Sequence, residues 1–298
     1  MKPTRYLALL TSCLAVYGCG SRAAGNPPPQ TLAPDTIRIV AIERVYGDLA
    51  HQLGGSRVDV RTILNSPSAD PHAYEPTARD ADAVAAADIA IENGLGYDAF
   101  ADKLIAASPR DVRTVIDVGT IGGHRTGDNP HVWYEPASLR TFCDALSVEL
   151  IRRSAGERRE ITRRRDTIDG WIARYSKRLE ALGRHHPRAR VAITEPVFDY
   201  VLRAANIAIA TPPSFSHAIE EGNDPAPQDV DTMRALLAGR RVAAFVYNRQ
   251  TVEPSTTRLL DVARAARVTV VPITETLPAN ARTQDWIDGE VAALERAL

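Results

Sequence analysis

Short apolar runs alternate with amphipathic stretches along most of this chain. The runs have the length and β-branched character of strands, and they cover residues 37–42, 58–64, 88–91, 112–116, 191–194, 242–247 and 268–273, with a shorter run near Ile207. Helical stretches lie between them, at residues 46–53, 77–86, 97–108, 198–205, 228–237, 256–266 and 285–298. Because parallel strands need a crossover between them, usually a helix, this alternation predicts an α/β fold with parallel sheets.

The pattern changes in the middle of the chain, where two helical segments follow one another. Residues 136–154 have helical character, and residues 156–182 contain no proline and only Gly170 as an interruption. At 1.5 Å per residue the second segment would form a helix of roughly 40 Å, which we expect to end at residues 183–187. The run of charges at residues 157–166 is interpreted as its solvated face.

These segments predict two α/β lobes joined by one long helix. We assign residues 36–136 to an N-terminal lobe and residues 188–298 to a C-terminal lobe. Residues 137–187 then form the helices between them, including the linking helix.

The first 35 residues have the pattern of a targeting segment and not of a folded domain. Residues 1–18 combine two basic residues with an apolar run too short to span a bilayer, which predicts a signal peptide. A small residue before Cys19 is similar to the bacterial lipobox, so Cys19 is the predicted lipidation site, although Tyr17 departs from that pattern. The alternative is an ordinary signal peptide cleaved nearby. Residues 19–35, rich in Pro, Ala and polar groups, predict a flexible tether.

Composition and charge are those of a soluble globular protein. The 298 residues are 44% hydrophobic and 24% charged, and the formal net charge of −1 becomes −3 without residues 1–18. This balance gives no reason to expect nucleic acid as a partner. Cys13 would leave with the signal peptide and Cys19 would carry lipid. Cys143 alone would remain, so we expect no intrachain disulfide and a buried, small apolar side chain at that position.

Four polar residues follow the ends of predicted strands, two in each lobe. They are His72, His131, Glu195 and Glu275. Open α/β sheets bind ligands beyond the carboxyl ends of their strands, so the four could meet across a cleft between the lobes. Two imidazoles and two carboxylates suit a divalent transition metal, although their spacing matches no short metal motif.

The two histidines lie in stiff loops, because each directly follows a proline. The other five histidines are interpreted as structural or surface residues: His51, His124, His185, His186 and His217.

Four segments in order resemble the zinc/manganese solute-binding proteins of ABC importers. They are Asp-Pro-His-Ala-Tyr-Glu-Pro at residues 70–76, Asn-Pro-His-Val-Trp at 129–133, Thr-Glu-Pro-Val-Phe-Asp-Tyr at 194–200 and Val-Val-Pro-Ile-Thr-Glu-Thr-Leu-Pro at 270–278. Residues 220–225 and 247–251 are also similar to segments of that family, and the resemblance covers residues 36–298. It implies two α/β lobes joined by a rigid helix, with a metal ion held between them.

The resemblance also implies the metal ligands, carried over one at a time. The first histidine of the family falls on His72 and the second on His131, while the third ligand falls on Glu195. The fourth, commonly Asp, falls on Glu275, whose side chain is one methylene longer. Asn129 stands where many relatives have Asp, which removes a charge beside the second histidine.

The ligand set leaves the metal open between Mn²⁺ and Zn²⁺, with iron as a third candidate. Two carboxylates favour the harder Mn²⁺, whereas Zn²⁺ has the higher intrinsic affinity for most such sites. The segment before the second histidine is short and contains one histidine, unlike the long His-rich loop of zinc-specific relatives. Histidine ligands also predict that binding weakens below about pH 6.

The resemblance implies a receptor and not an enzyme. We expect a monomer, anchored by lipid to the outer face of the bacterial cytoplasmic membrane, that delivers its metal ion to an ABC permease driven by an ATPase subunit. A secondary role in cell adhesion stays open.

The alternatives are a receptor for another solute, such as a siderophore or vitamin, and a metal-dependent hydrolase. Against the hydrolase, four protein ligands leave no open position for water, and the sequence has no His-Glu-x-x-His motif.

Overall fold

Two parallel four-stranded sheets form the centre of this protein. The computed structural model describes residues 36–65, 74–251 and 253–298, which belong to one compact unit. The first sheet contains β1 (Ile37–Glu43), β2 (Val58–Leu64), β3 (Ile89–Glu92) and β4 (Thr114–Asp117), in the order β2-β1-β3-β4. The second contains β5 (Arg190–Ile193), β6 (Ala208–Ile209), β7 (Ala244–Asn248) and β8 (Thr269–Ile273), in the order β6-β5-β7-β8. The predicted α/β fold with two parallel sheets is confirmed, and both sheets have the same strand topology.

Helices connect the strands and cover the sheets. They are α1 (Arg44–Gly54), α2 (Ala78–Ala86), α3 (Ala99–Ala107), α4 (Val118–Ile121), α5 (Pro136–Arg153), α6 (Arg158–His185), α7 (Asp199–Ala204), α8 (Pro213–Glu220), α9 (Pro227–Ala238), α10 (Pro254–Ala265) and α11 (Thr283–Ala297). Four of them begin at a proline. Proline suits the first helical position because a backbone N–H there would have no hydrogen-bond partner within the helix. Helices α4 and α8 were not predicted, since they are too short for a clear apolar period.

The long helix α6 has 28 residues and a length of about 42 Å. Along the chain it follows the strands of the first sheet and precedes those of the second. Its buried residues recur at helical spacing on one face and include Ile161, Ile168, Trp171, Ile172, Tyr175, Leu179 and Leu182. The helix ends at His185, inside the range expected from the sequence. Gly183 is still helical, and a Cβ there would lie 2.0 Å from the carbonyl oxygen of Ala205 just after α7. Glycine therefore permits the close approach of these two helices.

One hydrophobic core extends from the first sheet to the second. It contains Ile39 and Ile91 from the first sheet and Val191 and Val246 from the second, together with side chains of α1, α5, α6 and α11. Cys143 of α5 is part of this core and is buried, as the sequence predicts, and burial raises the pKa of its thiol to about 12. Among the described residues, no helix combines the length and apolar character that crossing a bilayer requires.

Candidate metal centre

Three of the four predicted ligands come together beyond the carboxyl ends of the strands. Glu195 follows β5, Glu275 follows β8, and His131 begins the short 3₁₀ turn Val132–Tyr134 after β4. His131 Nε2 lies 3.4 Å from Glu275 Oε1. The fourth predicted ligand, His72, lies outside the described residues.

Asn129 fixes the orientation of His131. Its Oδ1 accepts hydrogen bonds from the backbone N–H of His131, at 3.0 Å, and from the ring Nδ1–H, at 2.7 Å. This network assigns a proton to Nδ1, so Nε2, which faces Glu275, is the nitrogen that a metal ion would use. The Asn129 amide also donates to the carbonyl oxygen of Pro196, at 2.8 Å, and so joins the His131 loop to the residue after Glu195.

Burial and nearby carboxylates act in opposite directions on His131, which is 1% exposed. Burial lowers the pKa of the imidazole, but Glu275, Glu220 and Glu195 raise it, and the net pKa is above the ordinary value. The buried ring therefore lies in a strongly negative environment, which favours a cation beside it.

The two carboxylate oxygens of Glu195 differ in their hydrogen bonding. Its Oε2 accepts a hydrogen bond from Asn248 Nδ2 at 2.7 Å, whereas Oε1 is buried and accepts none from the described part of the chain. Burial raises the pKa of this carboxyl to about 7, although the Asn248 hydrogen bond opposes the shift. A buried carboxylate oxygen without a donor is costly, and a metal ion would satisfy it.

Glu275 is oriented by hydrogen bonds from both halves of the molecule. Tyr97, after β3, donates its hydroxyl to Oε1 at 2.7 Å, and Asn248 donates to Oε2 at 3.3 Å. The backbone N–H of Glu275 donates to Gln250 Oε1 at 2.6 Å. Asn248 therefore contacts both acidic residues and holds Glu195 and Glu275 at one place.

A second layer of polar contacts fixes the loop that carries Glu275. The buried carboxylate of Glu290 accepts hydrogen bonds from the Thr274 backbone and hydroxyl, from Trp286 Nε1 and from the Tyr134 hydroxyl. Burial raises the pKa of Glu290 to about 7, while these donors oppose the shift. Two of these four hydrogen bonds come from Thr274, and they fix the residue that directly precedes Glu275.

Sequence reasoning missed Tyr97, Asn248, Gln250 and Glu220. Asn248 and Gln250 fall in a segment noted only for its family resemblance, and a buried polar residue that ends the apolar strand β7 is the signal that could have identified Asn248. Glu220 ends the unpredicted helix α8, and its Oε1 lies 3.7 Å from His131 Nδ1.

Two of the histidines that were interpreted as structural or surface residues, His124 and His217, have surroundings that agree with this interpretation. His124 Nε2 lies 2.8 Å from Glu135 Oε2, and its ring packs edge-on against Tyr200. His217 is exposed, near the end of α8.

Within residues 36–65, 74–251 and 253–298, no three His, Cys, Asp or Glu side chains form a complete metal-binding group. The described part instead supplies a partial set, with an imidazole nitrogen that faces a carboxylate, and a second, buried carboxylate oxygen that accepts no hydrogen bond from these residues. Nitrogen and carboxylate oxygen donors of this kind fit a divalent transition metal.

Comparison with known proteins gives a consistent result. A family model described as "Zinc-uptake complex component A periplasmic" matches residues 39–297. The manganese-binding lipoprotein MntA of Halalkalibacterium halodurans is 26% identical over 149 residues, which is 49% of this chain and 48% of that protein. The alignment thus spans about half the length of this relative. The zinc-binding protein TroA of Treponema pallidum is 24% identical over 274 residues, which is 87% of this chain and 82% of that protein.

Solved structures share the fold. The periplasmic zinc-binding protein TroA of Treponema pallidum superposes with a TM-score of 0.71 at 18% identity, over 88% of this chain and 99% of that one. The solute-binding protein FpvC of Pseudomonas aeruginosa, solved in complex with Mn²⁺, superposes with a TM-score of 0.70 at 18% identity, over 88% of this chain and 98% of that one.

Proposed function

Because the chain belongs to the family of periplasmic zinc-uptake components, we propose that it is the solute-binding protein of an ABC importer. It captures a divalent transition metal ion outside the cytoplasmic membrane and delivers it to a membrane permease driven by an ATPase subunit. The observation that carries the proposal is the convergence of His131 and Glu275 beside the buried Oε1 of Glu195, which accepts no hydrogen bond from the described residues.

The proposed ligands are His72, His131, Glu195 and Glu275. His131 contributes Nε2, because Nδ1–H is engaged by Asn129, and the two acids contribute carboxylate oxygens. His72 enters on the resemblance of its loop to the family motif. The metal ion is cargo, so the protein has to bind it, shield it from water and release it, and no nucleophile is required.

The metal is Mn²⁺ or Zn²⁺. Two carboxylates and two imidazoles give a harder donor set than three imidazoles, which supports Mn²⁺ slightly, while intrinsic affinity supports Zn²⁺. The names of the relatives include both metals, and iron for a lipoprotein of Streptococcus pyogenes.

A receptor for a siderophore or vitamin would need aromatic rings free to line a wide cleft. Trp133 is 1% exposed and packs against the rings of His131 and Tyr97, with centroids 5.2 Å apart in both pairs. Tyr74 packs on Phe100 and donates its hydroxyl to Asp80. Both of these rings are therefore already engaged, which favours a small cation.

We propose that the chain is extracytoplasmic, as the family description indicates, and that a lipid on Cys19 anchors it as a monomer at the outer face of the membrane. Metabolic labelling with a fatty acid should mark the wild type and not Cys19→Ser. An equal signal in both would contradict the anchor.

Metal analysis of the chain without residues 1–19 tests the function. We expect one equivalent of metal in the wild type, and its loss in His72→Ala and in His131→Ala, because each removes one nitrogen ligand. The control is His51→Ala, which changes an exposed histidine on α1 and should keep the full equivalent. A wild type that cannot be loaded with Mn²⁺, Zn²⁺ or Fe²⁺ would contradict the proposal.

A further inference from the structure

The imidazole of His131 faces a carboxylate on the side opposite its proposed metal-binding nitrogen. Glu220 Oε1 lies 3.7 Å from His131 Nδ1, while Nε2 faces Glu275 on the other side of the ring. Glu220 is the last residue of α8, and its side chain is 12% exposed. Its position is set by the packing of Phe215 and Ile219 of the same helix in the core of the second lobe.

The hydrogen-bond partner of this ring is neutral. Asn129 Oδ1 accepts the Nδ1–H and sets the ring orientation, but an amide brings no negative charge. A metal on Nε2 withdraws electrons from the imidazole and makes Nδ1–H more positive, so a carboxylate behind that nitrogen strengthens the metal bond. Because Glu220 is largely buried, water and salt screen its charge only weakly.

The next residue in the chain provides a natural comparison. Glu221 has the same charge, but its side chain is 58% exposed. It lies 3.9 Å from the exposed His217 and accepts a hydrogen bond from the exposed Asn223 at 3.2 Å. Two adjacent acids thus differ in burial and in their distance from the site.

We propose that Glu220 is a positioning residue for metal binding, whose carboxylate supplies the negative charge behind His131 Nδ1–H without touching the metal. This inference rests on the proposed function. It assigns to α8, which the sequence pattern did not predict, a direct part in setting metal affinity.

The test compares Glu220→Gln, Glu220→Asp and Glu221→Gln in the chain without residues 1–19, titrated with Zn²⁺ and with Mn²⁺. Glu220→Gln keeps the shape and removes the charge, so we expect about tenfold weaker binding or more, with one equivalent still bound. Glu220→Asp keeps the charge and should bind more tightly than the Gln variant. Glu221→Gln should stay within about twofold of the wild type, because its exposed charge is screened.

Nuclear magnetic resonance of the Zn²⁺-loaded protein separates this role from a purely structural one. The Nδ1–H resonance of His131 should shift in Glu220→Gln and stay in place in Glu221→Gln. Wild-type affinity in Glu220→Gln, an unshifted Nδ1–H resonance, or an Asp variant as weak as the Gln variant would overturn the proposal. Complete loss of the bound equivalent in Glu220→Gln would overturn it too, since it would make Glu220 a ligand. A wild type without metal would instead refute the proposed function.

Discussion

At the residue scale, some residues of the candidate site could be selected from the sequence and others could not. His131, Glu195 and Glu275 could be selected because each follows a strand and lies in a recognisable segment. Asn248, which bridges both acids, could not be selected, because its role depends on strands β5, β7 and β8 lying side by side. The register between distant strands is a tertiary property that no local pattern contains.

Glu92 is a buried acid, and the charged residues that act most strongly on it are also acids. Burial above all, together with the charges of Asp98, Asp102 and Asp117, raises its pKa to about 8. The unfolded chain loses this proton near the ordinary value of 4.5, whereas the folded protein keeps it to about 8. The stability contributed by the protonated form is complete below that ordinary value and is lost as the pH rises through the folded pKa.

We therefore predict that Glu92→Gln stabilises the metal-free protein at pH 8 by about 1–3 kcal/mol and changes little at pH 4.5. Thermal unfolding at both pH values measures this effect. The matched control is Glu180→Gln, on an exposed part of α6, which should change neither melting temperature. An equal effect of Glu92→Gln at both pH values would contradict the assigned pKa.

At the element scale, the order of strands and helices could be predicted well, because long α/β segments alternate clearly in apolar pattern. Helices α4 and α8 could not, since 4 and 8 residues give too few turns to establish a period. Helix boundaries also depend on packing. The sequence suggested that α6 ends within residues 183–187, but the helix continues through Gly183 to His185, and the glycine serves the close contact with Ala205.

Two glycines in α6 give opposite predictions for the same substitution. Gly183→Ala places Cβ 2.0 Å from the Ala205 carbonyl oxygen, so the backbone has to shift and the protein should lose about 1–3 kcal/mol. Gly170→Ala meets only Arg174 Nη1, at 3.5 Å, and should gain up to about 1 kcal/mol from helix propensity. Urea unfolding of both variants is the measurement. Equal signs for the two would contradict the close packing of α6 on α7.

At the scale of the whole molecule, the two sheets share one core and are also joined by polar contacts. Asp48 of α1 accepts hydrogen bonds from the Thr283 backbone, at 2.8 Å, and hydroxyl, at 2.7 Å, at the start of α11. Tyr97 and Glu275 are joined across the site. The sequence predicted the two lobes and the long helix, but it could not show that the lobes share a core, because that depends on side chains far apart in the chain.

This arrangement opposes a large rotation of one sheet against the other. Solution scattering of residues 36–298 should give the same radius of gyration, about 18 Å, with and without Mn²⁺. A hinge closure of one sheet onto the other would reduce the radius of gyration, and a clear decrease on adding metal would contradict the prediction. Excess Mg²⁺, a poor match for imidazole ligands, serves as the control.

The buried thiol of Cys143 gives this molecule an internal reporter of global opening. It is the only cysteine in the described residues, it lies in the core shared by both sheets, and its high pKa leaves almost no reactive thiolate at neutral pH. A thiol reagent can therefore reach the sulfur only in molecules whose core has unfolded. Cargo that binds the native state should slow such labelling in proportion to its occupancy, so one unmodified cysteine could rank candidate cations without any engineered probe.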